Sequence, residues 1–299
     1  MRLRAINKNY IAFDVISKCI LTLFTMFCLL PFILMIIGSF SDNTTIMREG
    51  YSFFPSKWSM AAYEIIFMYP KRVLDAYRVT ITVTLAGSIL GVFLISMTAY
   101  VLMRTDFRSR NNISFIIYFT SIFSGGLIPW YILITNYLQL ADTLYAQILP
   151  ALMSPFLIIL MRNFMTQSIP MELIESAKID GANDFFIFFK IVLRLVTPGI
   201  ATVGLFLALG YWNDWYRSLL FMRSPSNYSL QFYLYNMLNA AKALAELAAY
   251  GGMPSFGAEL PNETTKLAMA VVATGPVIMA YPFIQRYFVR GLTIGAVKG

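Results

Sequence analysis

The chain has 299 residues, of which 58% are hydrophobic and 13% charged, whereas a soluble domain carries about 25% charged residues. This composition, with a mean hydropathy of +0.66, excludes an ordinary soluble protein and predicts an integral membrane protein. The chain contains no histidine, which excludes Ser–His hydrolysis and His-ligated metal sites, and its net charge of +8 includes no long basic run that would indicate a nucleic-acid partner.

Six apolar segments are long enough to cross a bilayer, which requires about 20 residues of helix. In chain order they cover 19–40, 79–103, 113–135, 143–161, 197–216 and 267–285. The fourth and sixth contain proline, which a membrane helix bundle tolerates because neighbouring helices satisfy the freed backbone groups. The second contains Gly87 and Gly91, whose spacing allows a close approach between helices.

The distribution of lysine and arginine predicts the orientation of these spans. If the N-terminus lies inside, the inner segments hold most of the 23 basic residues, whereas basic and acidic residues balance in the outer segments. Both termini are then cytoplasmic, and 1–18 form the N-terminal cytoplasmic segment. The outer connections at about 41–78 and 217–266 are long, and a polar segment at about 169–194 lies on the inner side.

The polar inner segment is predicted to contain a helix that ends at a glycine. Leu173, Ile174 and Ala177 recur at helical spacing and make one apolar stripe. Gly181 ends the helix, because glycine readily adopts the left-handed conformation found at helix C-termini.

A second helix is predicted to begin at Asn183 or Asp184, both of which are common N-terminal caps, and to enter the bilayer. Two interpretations of the segment are open on these residues alone. It is either an amphipathic hairpin that lies on lipid headgroups or a protruding helix that binds in a groove of a cytoplasmic partner.

One spacing within this segment resembles a known motif. Glu175, Ser176 and Ala177 are followed after three residues by Gly181, and after nine more by Ile-Val-Leu at 191–193. This is similar to the EAA motif of ABC-importer permeases, in which Glu-Ala-Ala, Gly and Ile-x-Leu-Pro stand at these intervals.

The chain departs from that motif at two positions. Ser176 stands where alanine is usual, and Arg194 stands where proline is usual, so the bend before the fifth span is expected from Pro198 instead. The C-terminal stretch QRYFVRGLTIGAVKG resembles the MalG-like carbohydrate-uptake branch of the same family.

The resemblance implies an all-α membrane protein with six transmembrane helices, cytoplasmic termini and the type I (MetI-like) ABC-importer permease fold in a single domain over 19–299. It implies that residues 169–194, which we name the coupling segment, dock on a separate ATPase. The motif residues that take this role by resemblance are Glu175, Ser176, Ala177, Asp180 and Gly181. It also implies a multi-pass location in a bacterial cell membrane.

The resemblance further implies four kinds of partner: a second, different permease that completes a heterodimer, two ATPase subunits, an extracellular substrate-binding protein, and membrane lipid. The chain has no Gly-x-x-x-x-Gly-Lys-Ser/Thr loop, so ATP and Mg are expected on the ATPase. This chain is expected to hold no cofactor, no metal and no catalytic residue, and to bind no nucleic acid.

Two aromatic stretches are candidates for the substrate path. The stretch GYWNDWYR at 210–217 suits a sugar, since aromatic faces stand beside amide and carboxylate groups. The candidate residues are Tyr211, Trp212, Asn213, Asp214 and Trp215, together with Trp130 and Tyr131 in the third span. The alternative is an aromatic belt at the membrane interface. The glycine pair at 125–126 and Pro129 either open the third helix beside a cavity or kink it.

The outer connection contains a stretch, 248–262, without apolar periodicity. In MalG-like permeases a loop at this place reaches into the sugar-binding protein, and by resemblance its tip is Gly251, Gly252, Met253 and Pro254. A loop packed on its own protein is the alternative.

The sequence therefore predicts a permease subunit of an ATP-driven, binding-protein-dependent importer whose cargo is a carbohydrate, an oligosaccharide or related glycan. An ABC permease for another solute, such as spermidine, phosphate or an amino acid, stays open because such permeases share the coupling motif. An intramembrane hydrolase is disfavoured, since the chain has neither histidine nor an embedded carboxylate pair. A proton- or sodium-coupled carrier is disfavoured because the spans lack ionisable residues away from their edges.

Overall fold

The computed structural model describes residues 8–249 and 263–296, and over these residues the chain is helical with no β-strand. The prediction of an all-α protein is confirmed. The four residues predicted to form the tip of the outer loop, Gly251, Gly252, Met253 and Pro254, lie outside the described residues. The chain divides into two compact units, Met1–Tyr69 with Met237–Gly275 and Pro70–Asn236 with Pro276–Gly299.

The first unit begins with α1, Lys8–Ser39, a helix of 32 residues. Its portion Phe13–Ser39 is long and apolar enough to cross a membrane, and its large apolar side chains are exposed along most of that length. A continuous apolar surface on so long a helix suits contact with lipid acyl chains.

The outer connection predicted at 41–78 is folded. Two short helices occupy it, α2 (Asn43–Glu49) and α3 (Ala61–Ile66). Gly50 ends α2 with a φ of +77°, a conformation that glycine adopts without steric cost. The hydroxyl of Tyr63 lies 2.8 Å from the hydroxyl of Ser39, which fastens α3 to the end of α1.

The second unit is built on α4, Pro70–Met103, whose 34 residues make a helix about 50 Å long. It begins well before the predicted second span because proline is favoured at the first helical position. Its buried face contacts α8 (Pro155–Ser168) and α12 (Thr197–Trp212). The shared core includes the fully buried Ile95, Met161 and Val203.

The two glycines of the second span permit this packing. The ring of Tyr211 lies against the position that a Cβ atom would take at Gly87, and the side chain of Leu207 lies against Gly91. The predicted close approach is therefore confirmed, and it joins α4 to α12.

Three predicted spans are bent helix pairs instead of single helices. The third consists of α5 (Arg110–Ile122), α6 (Leu127–Ile132) and a π-helical turn (Leu133–Tyr137), with a bend of 111°. The fourth consists of α7 (Leu144–Ile148), a 3₁₀ turn (Leu149–Ala151) and α8, with a bend of 49°. The fifth joins Asp184–Leu195 to α12 at 82°.

Each bend lies at a residue that interrupts a helix. Gly126 precedes α6 with a φ of +91°, and Pro155 opens α8. Pro198 lies in the first turn of α12, where it supplies the bend expected before the fifth span.

The described helices account for between two and five membrane spans by length and composition. Among the described residues, two helices are long and apolar enough to span a membrane, or up to five if each bent pair counts as one span. The predicted sixth span, 267–285, lies within α15, Glu263–Ala296, which contains Pro276 and Pro282 as expected. The six-span topology and the cytoplasmic location of both termini stay predictions.

The outer connection predicted at 217–266 also contains helices. They are α13 (Tyr216–Phe221) and α14 (Leu230–Ala249). The second is helical because its leucine, alanine, methionine and lysine residues are strong helix formers. The connection is therefore helical over 216–221 and 230–249.

Candidate functional site

The coupling segment contains a helix that ends at a glycine, as predicted. This helix, α9, covers Met171–Ile179, and Gly181 follows with a φ of +83°. The backbone N–H of Ala182 donates to the Ala177 carbonyl at 2.9 Å, and that of Gly181 donates to the Lys178 carbonyl at 3.0 Å. These two bonds are the Schellman arrangement of a glycine-terminated helix.

The second half of the segment begins at a capped helix. Asn183, rather than Asp184, is the cap, because its Oδ1 accepts a hydrogen bond of 2.8 Å from the backbone of Phe186. The chain then continues as α10 (Asp184–Phe186), a π-helical stretch (Ile187–Val192) and α11 (Leu193–Leu195). The turn at Gly181 is therefore fixed by local bonds on both sides.

The motif residues divide between an exposed and a buried face. Glu175, Ser176, Asp180 and Gly181 are exposed. Ala177 is buried, and with Ile174 it joins the core shared by α4, α8 and α12. Leu173, the third residue of the predicted apolar stripe, is exposed. Ile174 and Ala177 therefore hold α9 on the core, and the polar face of α9 stays accessible.

An open depression of about 440 Å³ lies beside this turn. Its lining includes Asp180, Gly181, Asn183 and Phe186. Nothing lies within 4 Å of the position that a Cβ atom would take at Gly181. Within the part of the chain that the structure describes, the turn is therefore exposed.

Arg104, directly after α4, joins the coupling segment to that helix. It is 7% exposed, and its Nε donates to Asp106 at 2.8 Å. Its Nη1 donates to the Tyr100 hydroxyl at 3.1 Å and to the carboxylate of Asp184. Lys178 of α9 donates to the same Asp106 at 2.8 Å. Sequence reasoning missed this cluster, because its members are distant along the chain.

The charges of this cluster reinforce one another. The hydrogen bond from Arg104, and next that from Lys178, hold the pKa of the Asp106 carboxyl well below its usual range. The hydrogen bond to Asp106 raises the pKa of Arg104, although burial opposes the charged form. Asp106 and Arg104 therefore stay ionised at physiological pH.

The substrate-path candidates at the end of α12 lie in two environments. Asn213 and Trp215 are exposed, and the Trp215 ring stacks on that of Tyr235 with centroids 4.6 Å apart. Tyr211 and Trp212 are buried, and the Tyr211 hydroxyl donates to the Ile148 carbonyl at 2.7 Å. The rings of Tyr211 and Trp212 pack in the protein interior in this conformation. Contact between the substrate and the candidate residues at 211–215 stays a prediction.

Asp214 has a structural partner. Arg217 donates through Nε to the Asp214 carboxylate at 3.0 Å and through Nη1 to the Gln147 carbonyl at 2.8 Å. The guanidinium also lies 5.0 Å from the centroid of the Tyr211 ring. These contacts fix the end of α12 to α7.

The candidates in the third span pack together on one residue. The ring centroids of Trp130 and Tyr131 lie 5.1 and 6.0 Å from that of Phe221. Trp130 packs against a small apolar cluster that contains Ile134 and Ala146, whereas Tyr131 is exposed. The bend before Pro129 therefore brings both rings against Phe221, and their role in a substrate path also stays a prediction.

Asp142 is a second network centre that sequence reasoning missed. Its Oδ1 accepts backbone N–H groups from Arg223 at 3.1 Å and Ser224 at 3.0 Å, and the Ser224 hydroxyl donates to Oδ2. Its φ of +58° lies in the left-handed region, which aspartate and asparagine tolerate better than most residues. The residue thus fastens the turn after α13 to the turn before α7.

We expect Asp142→Ala to lower the stability of the solubilised protein by about 1–3 kcal/mol, because donors of Ser224 and Arg223 lose their partner. Asp142→Asn is the matched control, since it keeps an acceptor and tolerates the same φ. Thermal unfolding in detergent measures both variants. An Asn variant as unstable as the Ala variant would show that hydrogen-bond acceptance is not the source of the effect.

The same carboxylate predicts an acid dependence. Burial opposes its ionisation, but hydrogen bonds from Ser224, Arg223 and Asn227 outweigh burial and lower its pKa from 3.8 to about 2. A group whose pKa is lower in the folded state stabilises the fold above its unfolded pKa and loses that effect as pH falls. The melting temperature of wild type should therefore fall more than that of Asp142→Asn between about pH 4 and pH 2.

Comparisons with known proteins provide independent information. No family model matches the chain. The chain is 38% identical to the polygalacturonan/rhamnogalacturonan transport system permease protein YtcP of Bacillus subtilis, covering 96% of this chain and 98% of that protein. It is 30% identical to the arabinooligosaccharides transport system permease protein AraQ of Halalkalibacterium halodurans, covering 90% and 91%.

The fold has a solved counterpart. A chain in the crystal structure of a bacterial ABC transporter involved in the import of the acidic polysaccharide alginate matches at a TM-score of 0.76 and 29% identity. The match covers 96% of the present chain and 100% of the solved one.

Proposed function

This chain belongs to the family of permease subunits of ABC transport systems, and from that premise we propose that it serves an ATP-driven, binding-protein-dependent importer for a carbohydrate. The supporting observation is the similarity over almost the whole chain to permeases named for polygalacturonan/rhamnogalacturonan and arabinooligosaccharides. Members of the family are transporter subunits, so the chain is not an enzyme. The cargo is an oligosaccharide or related glycan, rather than spermidine, phosphate or an amino acid.

The assembly that we propose has the composition expected for such an importer. This chain and a second, different permease form a heterodimer in a bacterial cell membrane. Two separate ATPase subunits bind ATP and Mg on the cytoplasmic side, and an extracellular binding protein delivers the glycan. This chain contributes six spans with both termini in the cytoplasm.

Coupling to the ATPase takes place at the exposed turn of the coupling segment. Glu175, Ser176, Asp180 and Gly181 present polar and backbone groups outward. Ile174 and Ala177 carry the segment on the core of the second unit. Closure of the ATPase pair then moves the segment as a rigid body and rocks the spans between inward-open and outward-open states.

The residues with access to a glycan are the exposed members of the aromatic group. Asn213 supplies an amide that bonds hydroxyls, and the face of Trp215 suits the C–H surface of a sugar ring. Both lie just beyond the last residue of α12.

The test is copurification followed by transport. When the affinity-tagged protein is purified from detergent-solubilised membranes of the organism that produces it, a second permease and a separate ATPase should copurify. In proteoliposomes with the binding protein, a galacturonide or arabinose oligosaccharide should stimulate ATP hydrolysis, whereas spermidine, phosphate and amino acids should not. Recovery of no ATPase would overturn the importer proposal, and stimulation by one of the other solutes would overturn the cargo.

A further inference from the structure

The charged cluster around Arg104 connects three parts of the second unit. Arg104 and Asp106 lie directly after α4, Lys178 lies in the last turn of α9, and Asp184 opens α10. The guanidinium reaches both Asp106 and Asp184, and the ammonium of Lys178 reaches Asp106. The two helices that flank the exposed turn at Gly181 are thus each fastened to the end of α4 by an ion pair.

The geometry requires arginine at this position. The planar guanidinium donates from Nε and Nη2 to the two oxygens of Asp106, while Nη1 donates to Asp184 and to the Tyr100 hydroxyl. Lysine, with a single ammonium, cannot reproduce such a fork. Charge-assisted hydrogen bonds from a planar guanidinium fix the orientation of the bound carboxylates as well as their distance.

An apolar contact accompanies the charges on one side of the turn. The ring of Phe188 lies 5.5 Å from that of Tyr100, centroid to centroid, and Phe188 is buried with Ile187. Tyr100 lies in α4 four residues before Arg104, and its hydroxyl accepts the hydrogen bond from Arg104 Nη1. The end of α4 therefore meets the coupling segment through one continuous surface, part aromatic and part ionic.

The position of α4 links this contact surface to the rest of the helix bundle. The helix packs against α8 and α12 through the core of the unit, so a displacement of its end reaches the bundle. Among the described residues, no atom lies within 4 Å of the position that a Cβ atom would take at Gly181, and the residue is exposed. A displacement of the turn is therefore transmitted to the end of α4 through the ion pairs of Lys178 and Asp184.

We propose that Arg104 is the positioning residue that locks the coupling segment to the end of α4, so that movement of the segment by the ATPase is transmitted to the transmembrane bundle. The inference rests on the proposed function, because it assumes that an ATPase docks at the turn. Arg104 itself is buried and does not touch the partner. Its removal therefore uncouples ATP hydrolysis from transport and leaves docking intact.

The test compares Arg104→Gln with Arg108→Gln, a control in the same loop whose side chain is exposed. Both are reconstituted with the second permease, the ATPase and the binding protein. In Arg104→Gln the ATPase should copurify as in wild type, while stimulation of ATP hydrolysis by the glycan-loaded binding protein falls about tenfold. Arg108→Gln should retain wild-type stimulation.

A second variant covers the case in which Arg104→Gln does not assemble. Asp184→Asn removes one partner whose side chain is 59% exposed, so it spares folding. It should reduce stimulation in the same direction, and the double variant should lose less than the sum of the two single effects, since both break one link.

The outcomes separate the two proposals. Full stimulation in Asp184→Asn, or in an assembled Arg104→Gln complex, overturns the role of Arg104 while the importer stands. Equal loss in Arg108→Gln would also overturn it, because any basic residue of the loop would then matter. Failure of wild type to recover an ATPase overturns the proposed function instead.

Discussion

Gly181→Val should reduce recovery of the ATPase by the solubilised protein about tenfold or more, the largest effect that we expect from one substitution. The backbone at this residue has a φ of +83°, where a β-branched side chain is a steric outlier. Valine therefore breaks the Schellman turn and displaces the exposed faces of α9 and α10 relative to each other. Copurification from native membranes, quantified against the second permease, measures the effect.

Two controls make this result specific. Gly181→Asn keeps a residue type that tolerates positive φ, so it should retain more ATPase than the valine variant. Gly50→Val imposes comparable strain at the end of α2, where φ is +77° and the space is equally open. If Gly50→Val loses the ATPase to the same extent, general misfolding explains the result, and docking at Gly181 is contradicted.

Gly87→Ala should lower the stability of the solubilised protein by about 1–3 kcal/mol, the second large effect. A Cβ atom at this position enters the ring of Tyr211, which is buried and hydrogen-bonded to the Ile148 carbonyl. The helix pair α4–α12 must then separate, and the contact between Leu207 and Gly91 is lost with it.

The control for this second prediction is Gly210→Ala. Gly210 also lies in a helix of the same pair, but a Cβ atom there meets nothing within 4 Å. Alanine is the better helix former, so this variant should melt at or above the wild-type temperature. If the two alanine variants melt alike in detergent, close packing at Gly87 is not what limits helix approach.

Local features of the coupling segment were predictable from the sequence. Gly181 takes the left-handed conformation and Asn183 caps the next helix, because both depend on neighbours within about five residues. The choice between Asn183 and Asp184 was not predictable, since both side chains cap well. In the structure Asn183 caps the helix, while the carboxylate of Asp184 binds Arg104, which lies 80 residues away in the sequence.

The bent spans show a limit of hydropathy. The apolar run at 113–135 is long enough for one helix, yet the chain turns by 111° after α5. The length of an apolar segment indicates how many residues avoid water, but it does not indicate whether the helix axis changes direction within the segment. The glycine pair and Pro129 were recognised as a break, but the sequence did not give the angle, which brings Trp130 and Tyr131 against the distant Phe221.

The aromatic stretch at 210–217 shows the same limit for a site. Composition made every aromatic and polar residue there an equal candidate for a glycan. The fold buries Tyr211 and Trp212, pairs Asp214 with Arg217, and leaves Asn213 and Trp215 accessible. Which side of a helix faces its neighbour depends on α4 and α7, whose residues are far away in the sequence.

The sequence by itself determined that the protein is a helical membrane protein, where its coupling turn lies and to which family it is similar. These conclusions depend on composition and on short spacings, which are local quantities. Only the tertiary structure decided which motif residues are exposed, where the spans bend and that Arg104 joins α4 to both sides of the turn. Those features depend on contacts between residues far apart in the chain, and a single sequence does not reveal which distant residues meet.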